Sequence, residues 1–179
     1  VCEKLQYGIT MAAINENTGV KILRITDIQD DNVNWDLVPF CNCNEEELKK
    51  YELKETDIVV ARIGATTGKS FFVKTSPKSV FGSYLIRIRP KSNLYSEFLS
   101  YFFQTNLYWF QLNLAKGGRL KGGVNIPILE NLTIPLPPIT EQKEIAEILQ
   151  TIDQKIEIEK KKKELYQELL KTLLNKIMT

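Results

Sequence analysis

Two stretches of this chain bring glycine, cations and hydroxyls together without a carboxylate. The first is Gly64-Ala65-Thr66-Thr67-Gly68-Lys69-Ser70. It resembles a phosphate-binding loop at first sight, but that signature needs four residues between its first glycine and the Gly-Lys pair. Here only Ala65, Thr66 and Thr67 intervene. A phosphate-binding loop also opens a helix, whose first amides hold the anion. Ser70-Phe71-Phe72-Val73 reads instead as a strand, as does Asp57-Ile58-Val59-Val60-Ala61 before the loop. The expected unit is strand, glycine loop, strand, with the glycines permitting positive φ. The second stretch is Lys116-Gly117-Gly118-Arg119-Leu120-Lys121-Gly122-Gly123, two near-repeats of glycine and cation. Such loops let backbone and cations approach a phosphate or a base edge closely. Arg62, Gly64, Thr66, Thr67, Lys69 and Ser70 in one loop are candidate DNA contacts. So are Lys116, Gly117, Gly118, Arg119, Lys121 and Gly122 in the other. Arg119 is the leading base reader, since arginine can fork onto guanine. Arg62 has an alternative, purely structural reading.

Other chemistry finds little support. The chain has no histidine, which removes the commonest general base and imidazole metal sites. Glu45-Glu46-Glu47 reads as a solvated helix start. Cys41-Asn42-Cys43, with only Cys2 besides, lacks zinc-knuckle spacing and reads as free thiols in a reducing cytoplasm. No catalytic constellation, metal site or cofactor is expected.

Charge is segregated although the net value is only +2. Val1 to Ala61 holds six cations and twelve anions, whereas Arg62 to Ile128 holds ten cations and one anion, Glu97. A block that basic points to a polyanionic partner, double-stranded DNA above all, if the block forms one surface. The aromatic run from Ser96 to Ala115 could stack on bases, but its helical spacing favours core, and Ser96 is placed to cap its helix.

These loops and strands need a body to hold them. The 179 residues, 43% hydrophobic and 26% charged, suit one folded body with an appendage. No apolar run reaches the ~18 residues of a membrane span, and no signal peptide is visible. The expected division falls at the proline-rich Ile134-Pro135-Leu136-Pro137-Pro138. Residues 1–138 form an α+β body of β-hairpins and short helices. Residues 139–179, free of glycine and proline, form one long helix capped by Thr140. An antiparallel pair of such helices, centred on Glu159, matches apolar ends and a charged middle. Ile145 then faces Leu173, Leu149 faces Leu169, Ile152 faces Tyr166, and Glu157 faces Lys161. Two copies so paired carry their bodies at opposite ends in inverted orientation, as an interrupted palindrome requires. The alternative is a helix packed on its own body. The Lys160–Lys163 run could face DNA, a partner or solvent.

The chain also resembles a family. Gln6-Tyr7-Gly8-Ile9-Thr10, Leu23-Arg24-Ile25-Thr26-Asp27-Ile28, Asp57 to Gly64 with Gly68-Lys69-Ser70, and Ile134 to Ile139 with Glu141-Gln142 lie in family order. They are similar to the specificity subunits of type I restriction-modification systems, or to close relatives serving bifunctional systems. The resemblance implies a target recognition domain followed by a spacer helix. It implies a methyltransferase subunit carrying S-adenosylmethionine and an ATP-driven restriction subunit as partners, the chain itself being non-catalytic. Thr56-Asp57 departs from the family's usual Gly-Asp. Family members typically carry two recognition domains and two spacers, so this chain resembles a half-subunit that works as a homodimer. A rival reading is a coiled-coil adaptor that binds protein without DNA specificity.

Overall fold

The protein, a computed structural model, is described over residues 1–29, 32–117 and 122–178. Its centre is β5 (Ile58–Ala61), four consecutive apolar residues that are all buried. A strand can bury every residue only if both its faces are covered. Here they are. Four antiparallel strands run in the order β1 (Gln6–Tyr7), β8 (Leu85–Ile88), β5, β6 (Ser70–Phe72). Val59 pairs with Arg87 on one side and Phe71 on the other.

Alternation along the strands sends the side chains into two cores. Ile58, Val60, Ile86 and Ile88 meet the helices α2 (Ser96–Phe102), α3 (Asn106–Ala115) and α4 (Ile126–Glu130) through Leu99, Phe102, Tyr108, Leu112 and Leu129. Val59, Phe71 and Leu85 meet Leu23, Val33, Val38, Leu53 and Phe81 on the other face. That second layer contains a parallel pair, β2 (Lys21–Leu23) with β7 (Ser79–Phe81), and the pair β3 (Ile28–Gln29) with β4 (Asn32–Val33). Helix α1 (Glu45–Tyr51) starts in a reciprocal capping box between Asn44 and Glu47. The α+β character is as the sequence suggests.

Two caps differ from expectation. Tyr95, not Ser96, is the N-cap of α2, and it offers no side-chain bond to the helix. Helix α5 (Ile139–Met178) begins one residue before Thr140, which therefore lies in its first turn. Pro138 can supply the first helical carbonyl, which accepts from the Gln142 amide at 3.0 Å, since proline lacks only the donor.

Helix α5 touches the body over about its first four turns, as far as the bond of Asp153 with Tyr101. Gln142 and Ala146 are buried, but every residue from Thr151 to Ile177 is exposed. The exposed set includes Ile152, Ile156, Leu165, Tyr166, Leu169, Leu170, Leu173 and Leu174. The helix is thus not folded back on its own body. Of the six residues assigned to helix pairing, Ile145 and Leu149 are partly covered, whereas Ile152, Tyr166, Leu169 and Leu173 face outward. No described helix is long and apolar enough to cross a membrane.

Candidate nucleic-acid interface

The first glycine loop joins β5 to β6 as an antiparallel connection, not a strand-to-helix turn. The Ala61 amide donates to the Lys69 carbonyl at 2.9 Å, and the Gly68 amide returns to the Ala61 carbonyl at 2.8 Å. Within the loop, the Thr67 hydroxyl donates to the Gly64 carbonyl at 2.6 Å, and the Lys69 amide to the Thr66 carbonyl at 2.9 Å. Gly64 and Gly68 take φ of 84° and 90°. At Gly68 a side chain is excluded twice, by that backbone and by Leu112 and Trp109 beneath it. The buried Tyr108 donates its hydroxyl to the Gly68 carbonyl at 2.6 Å. Burial pushes the Tyr108 phenol well above its ordinary pKa, so it stays a donor. The loop is therefore pinned from below on α3, while Gly64, Ala65 and Lys69 are exposed and Thr66, Thr67 and Ser70 are half-buried. The strand that follows leaves no helix N-terminus to hold a triphosphate, which removes the nucleotide reading of this motif.

The second loop begins where α3 ends. Lys116 is the C-cap and Gly117, with φ of 61°, closes the helix in the left-handed conformation. Gly118, Arg119 and Lys121 lie outside the described residues. The chain resumes at Gly122, and there it is stitched to the first loop. The Val124 amide donates to the Arg62 carbonyl at 2.8 Å, and a Cβ on Gly123 would come within 3.0 Å of that same carbonyl. The two loops, more than forty residues apart in sequence, thus leave the body side by side.

Arg62 is the joint rather than an open contact. Its guanidinium lies 4.6 Å from the Tyr7 ring centroid, and Nη1 donates to the Ser83 carbonyl at 3.2 Å. Its amide donates to the Tyr84 carbonyl at 3.0 Å. Nε is buried and has no partner among the described residues. Arg62 so ties β1, the β5 exit, the β7–β8 turn and the second loop together. The turn it holds presents Tyr84, 54% exposed, at the same end of the sheet. Tyr84 was not singled out from the sequence. Its signal was there: Gly82-Ser83-Tyr84 is another glycine and hydroxyl turn between strands, without a carboxylate.

The basic block does not form one surface. Arg89 makes a two-pronged bond to buried Asp57, both contacts at 2.7 Å, and this raises its already high pKa. Arg87 donates to the Glu52 carbonyl at 2.7 Å and to the Gln6 amide oxygen, and burial lowers its pKa. Both arginines are structural. The register places Lys74 and Lys91 past the β6 and β8 ends farther from the glycine loop, and Lys78 just before β7. What remains by the paired loops is Lys69 and Lys116, with Arg119 and Lys121 belonging to the segment outside description. The aromatic run is mostly core, as Phe102, Phe103 and Tyr108 show, but Phe110 is 67% exposed. Among the described residues no cluster of three or more His, Cys, Asp or Glu could hold a metal. Burial pushes the Cys41 thiol up to about 11, which keeps it protonated and unreactive.

Comparison with known proteins fits this geometry. The chain is 31% identical over 90% of its length to the type I restriction enzyme MjaVIII specificity subunit of Methanocaldococcus jannaschii, covering 39% of that protein. It is 27% identical over 67% of its length to the EcoKI specificity subunit of Escherichia coli, covering 26% of it. It therefore spans two-fifths or less of these two curated relatives. The crystal structure of the HsdS subunit from Thermoanaerobacter tengcongensis shares the fold, with a TM-score of 0.64 and 20% identity over 87% of this chain and 36% of that one. The family model for the type I restriction modification DNA specificity domain matches residues 2–167, nearly the whole chain, and the chain belongs to that family.

Proposed function

We propose that this chain is a DNA-recognition subunit of a type I restriction-modification complex that works as a homodimer. Residues 1–138 act as one target recognition domain, and residues 139–179 as the spacer and dimerisation helix. Two copies pair antiparallel through α5 in the register centred on Glu159, with Ile145, Leu149, Ile152, Tyr166, Leu169 and Leu173 at the seam. The observation that carries this reading is the apolar stripe of α5, exposed along most of the helix and uncovered by its own body. A helix with such a stripe requires a partner helix. In this arrangement each body meets one half-site of an interrupted palindrome. Gly64, Thr66, Thr67, Lys69 and Ser70 approach DNA from one loop, with Lys116, Gly117, Gly118, Arg119, Lys121 and Gly122 from its neighbour. Tyr84 joins them from the β7–β8 turn, and Arg62 holds the three segments in place. The chain supplies address and scaffold. A methyltransferase subunit and a restriction subunit, docked on the dimer, supply the chemistry, in the cytoplasm and away from any membrane.

Selection from randomised duplex DNA with the purified protein, followed by sequencing, tests the reading. Two inverted half-sites at a constant gap, bound with steep salt dependence, are the expected outcome. If no sequence is enriched and no salt-sensitive binding appears, even with the methyltransferase subunit present, the adaptor reading replaces this one.

A further inference from the structure

The Glu141-Gln142 pair that closes the proline-rich stretch takes no part in the loops above. Gln142 is nevertheless among the most completely buried polar side chains described, 0% exposed in the first turn of a helix that is otherwise largely wet. Its Oε1 accepts from the Tyr95 amide at 2.8 Å. Its Nε2 donates to the carbonyls of Pro137 at 2.8 Å and Asn93 at 3.2 Å. Tyr95 is the N-cap of α2 and brings no side-chain cap of its own, so α5 supplies an acceptor at that helix start. One turn on, Ala146 is fully buried and lets α5 lie close to the body. Farther along, Asp153 accepts the Tyr101 hydroxyl of α2 at 2.8 Å. Gln142 and Asp153 are about 16 Å apart along the helix at 1.5 Å per residue. Two polar fixings at that separation define a direction, and past the second one α5 runs exposed.

We propose that Gln142, with Tyr101–Asp153 as its second point, is a positioning residue that sets the angle between recognition body and spacer helix, and so selects the gap between half-sites. This rests on the homodimer reading. In the antiparallel register the second copy's joint lies beside residue 176, about 51 Å along the axis from Gln142. Over that arm a tilt of about 4° swings the far body sideways by about 3.5 Å, as far as one base-pair step of DNA. Keeping both bodies seated on half-sites at one gap thus demands a joint stiff to a few degrees. Directional hydrogen bonds in a buried site provide that stiffness, where an apolar side chain of equal volume would only fill space.

The test selects the full-length protein and its variants against duplexes with randomised half-sites and every gap length over one helical turn. Gln142→Leu keeps the volume and removes all three bonds. It is expected to enrich the wild-type half-sites while gaps one base pair shorter and longer gain about tenfold relative to the preferred gap, within what lost hydrogen bonds permit. Tyr101→Phe is expected to broaden the gap in the same direction by less, and Asp153→Asn, which keeps an acceptor, to retain the wild-type gap. Weaker binding with an unchanged gap distribution in both Gln142→Leu and Tyr101→Phe would overturn the proposal and leave Gln142 a stability residue only. If Gln142→Leu does not fold, the Tyr101→Phe distribution decides alone, because its bond lies at the surface. Wild-type protein that enriches single half-sites with no constant gap would sink the dimer reading itself, and the proposal with it, before any variant is compared.

Discussion

Strand β5 and the distal half of α5 carry the same kind of residue and meet opposite fates. Ile58, Val59 and Val60 are entirely buried, between helices on one face and the β2–β7 layer on the other. Leu165, Leu169, Leu170, Leu173 and Leu174 lie in the open. Hydrophobicity alone does not distinguish them. The difference is whether the chain itself provides a covering layer. The body completes its core in cis, whereas α5 leaves the body after about four turns with its apolar face uncovered.

The sharpest way to break this contrast is to charge the exposed stripe. In the proposed dimer, the double substitution Leu169→Lys, Leu173→Lys removes four leucines from the two-fold seam, each worth about 1.5–3 kcal/mol on burial. The dimer dissociation constant measured by analytical ultracentrifugation is expected to rise by well over about 100-fold. The near-ultraviolet signal of the body, with Tyr108 in it, is expected to stay. The reciprocal substitution, Ile58→Ala, opens a cavity in the body and should cost about 2–5 kcal/mol in denaturant unfolding. Its dissociation constant, measured in native buffer, should stay at the wild-type value. If Ile58→Ala weakened dimerisation as much as the lysine pair, cis and trans burial would not be separable in this protein.

The same contrast explains what the sequence reveals and what it hides. Local pattern exposes β5, the β5–β6 loop and α5, because period, length and punctuation are properties of neighbours in the chain. It hides long-range partners. Nothing near Gln6-Tyr7 announces a pairing with Ile86-Arg87, and nothing near Lys21 announces a parallel pairing with Ser79. Arg87 and Arg89 count as surface charge in a linear tally, yet Asp57, Glu52 and Gln6 draw them inward. Arg62 belongs to a glycine-loop motif by position and to the packing of that loop by contact. Gln142 reads as one more polar residue of a wet helix, because its three partners come from Asn93, Tyr95 and Pro137. The neighbourhood of the two glycine loops was legible as shared chemistry. That they touch needed the Val124–Arg62 bond.

The smallest expected effect lies at Thr56, where this chain departs from the Gly-Asp pattern of the family it resembles. Thr56 has φ of 71° and is the one non-glycine residue with positive φ among the described residues. A β-branched side chain is poorly suited to that region, at a cost of about 1–2 kcal/mol. The surroundings enforce it. The Thr56 amide donates to the Val73 carbonyl at 2.8 Å, and the Lys54 amide to the Asp57 carboxylate at 2.8 Å. Asp57, 1% exposed, must in turn face Arg89. The turn therefore holds its geometry at the expense of Thr56. Thr56→Gly relieves the strain but gives back some entropy to the unfolded chain, so the net gain is expected to be about 1 kcal/mol. Thermal unfolding should shift up by about 2–4 °C for a chain of this size. Because the change lies in the body and not on α5, half-site, gap and dimer affinity should all stay as in wild type. A lowered melting temperature would mean that the threonine side chain contributes more to this turn than its backbone strain removes.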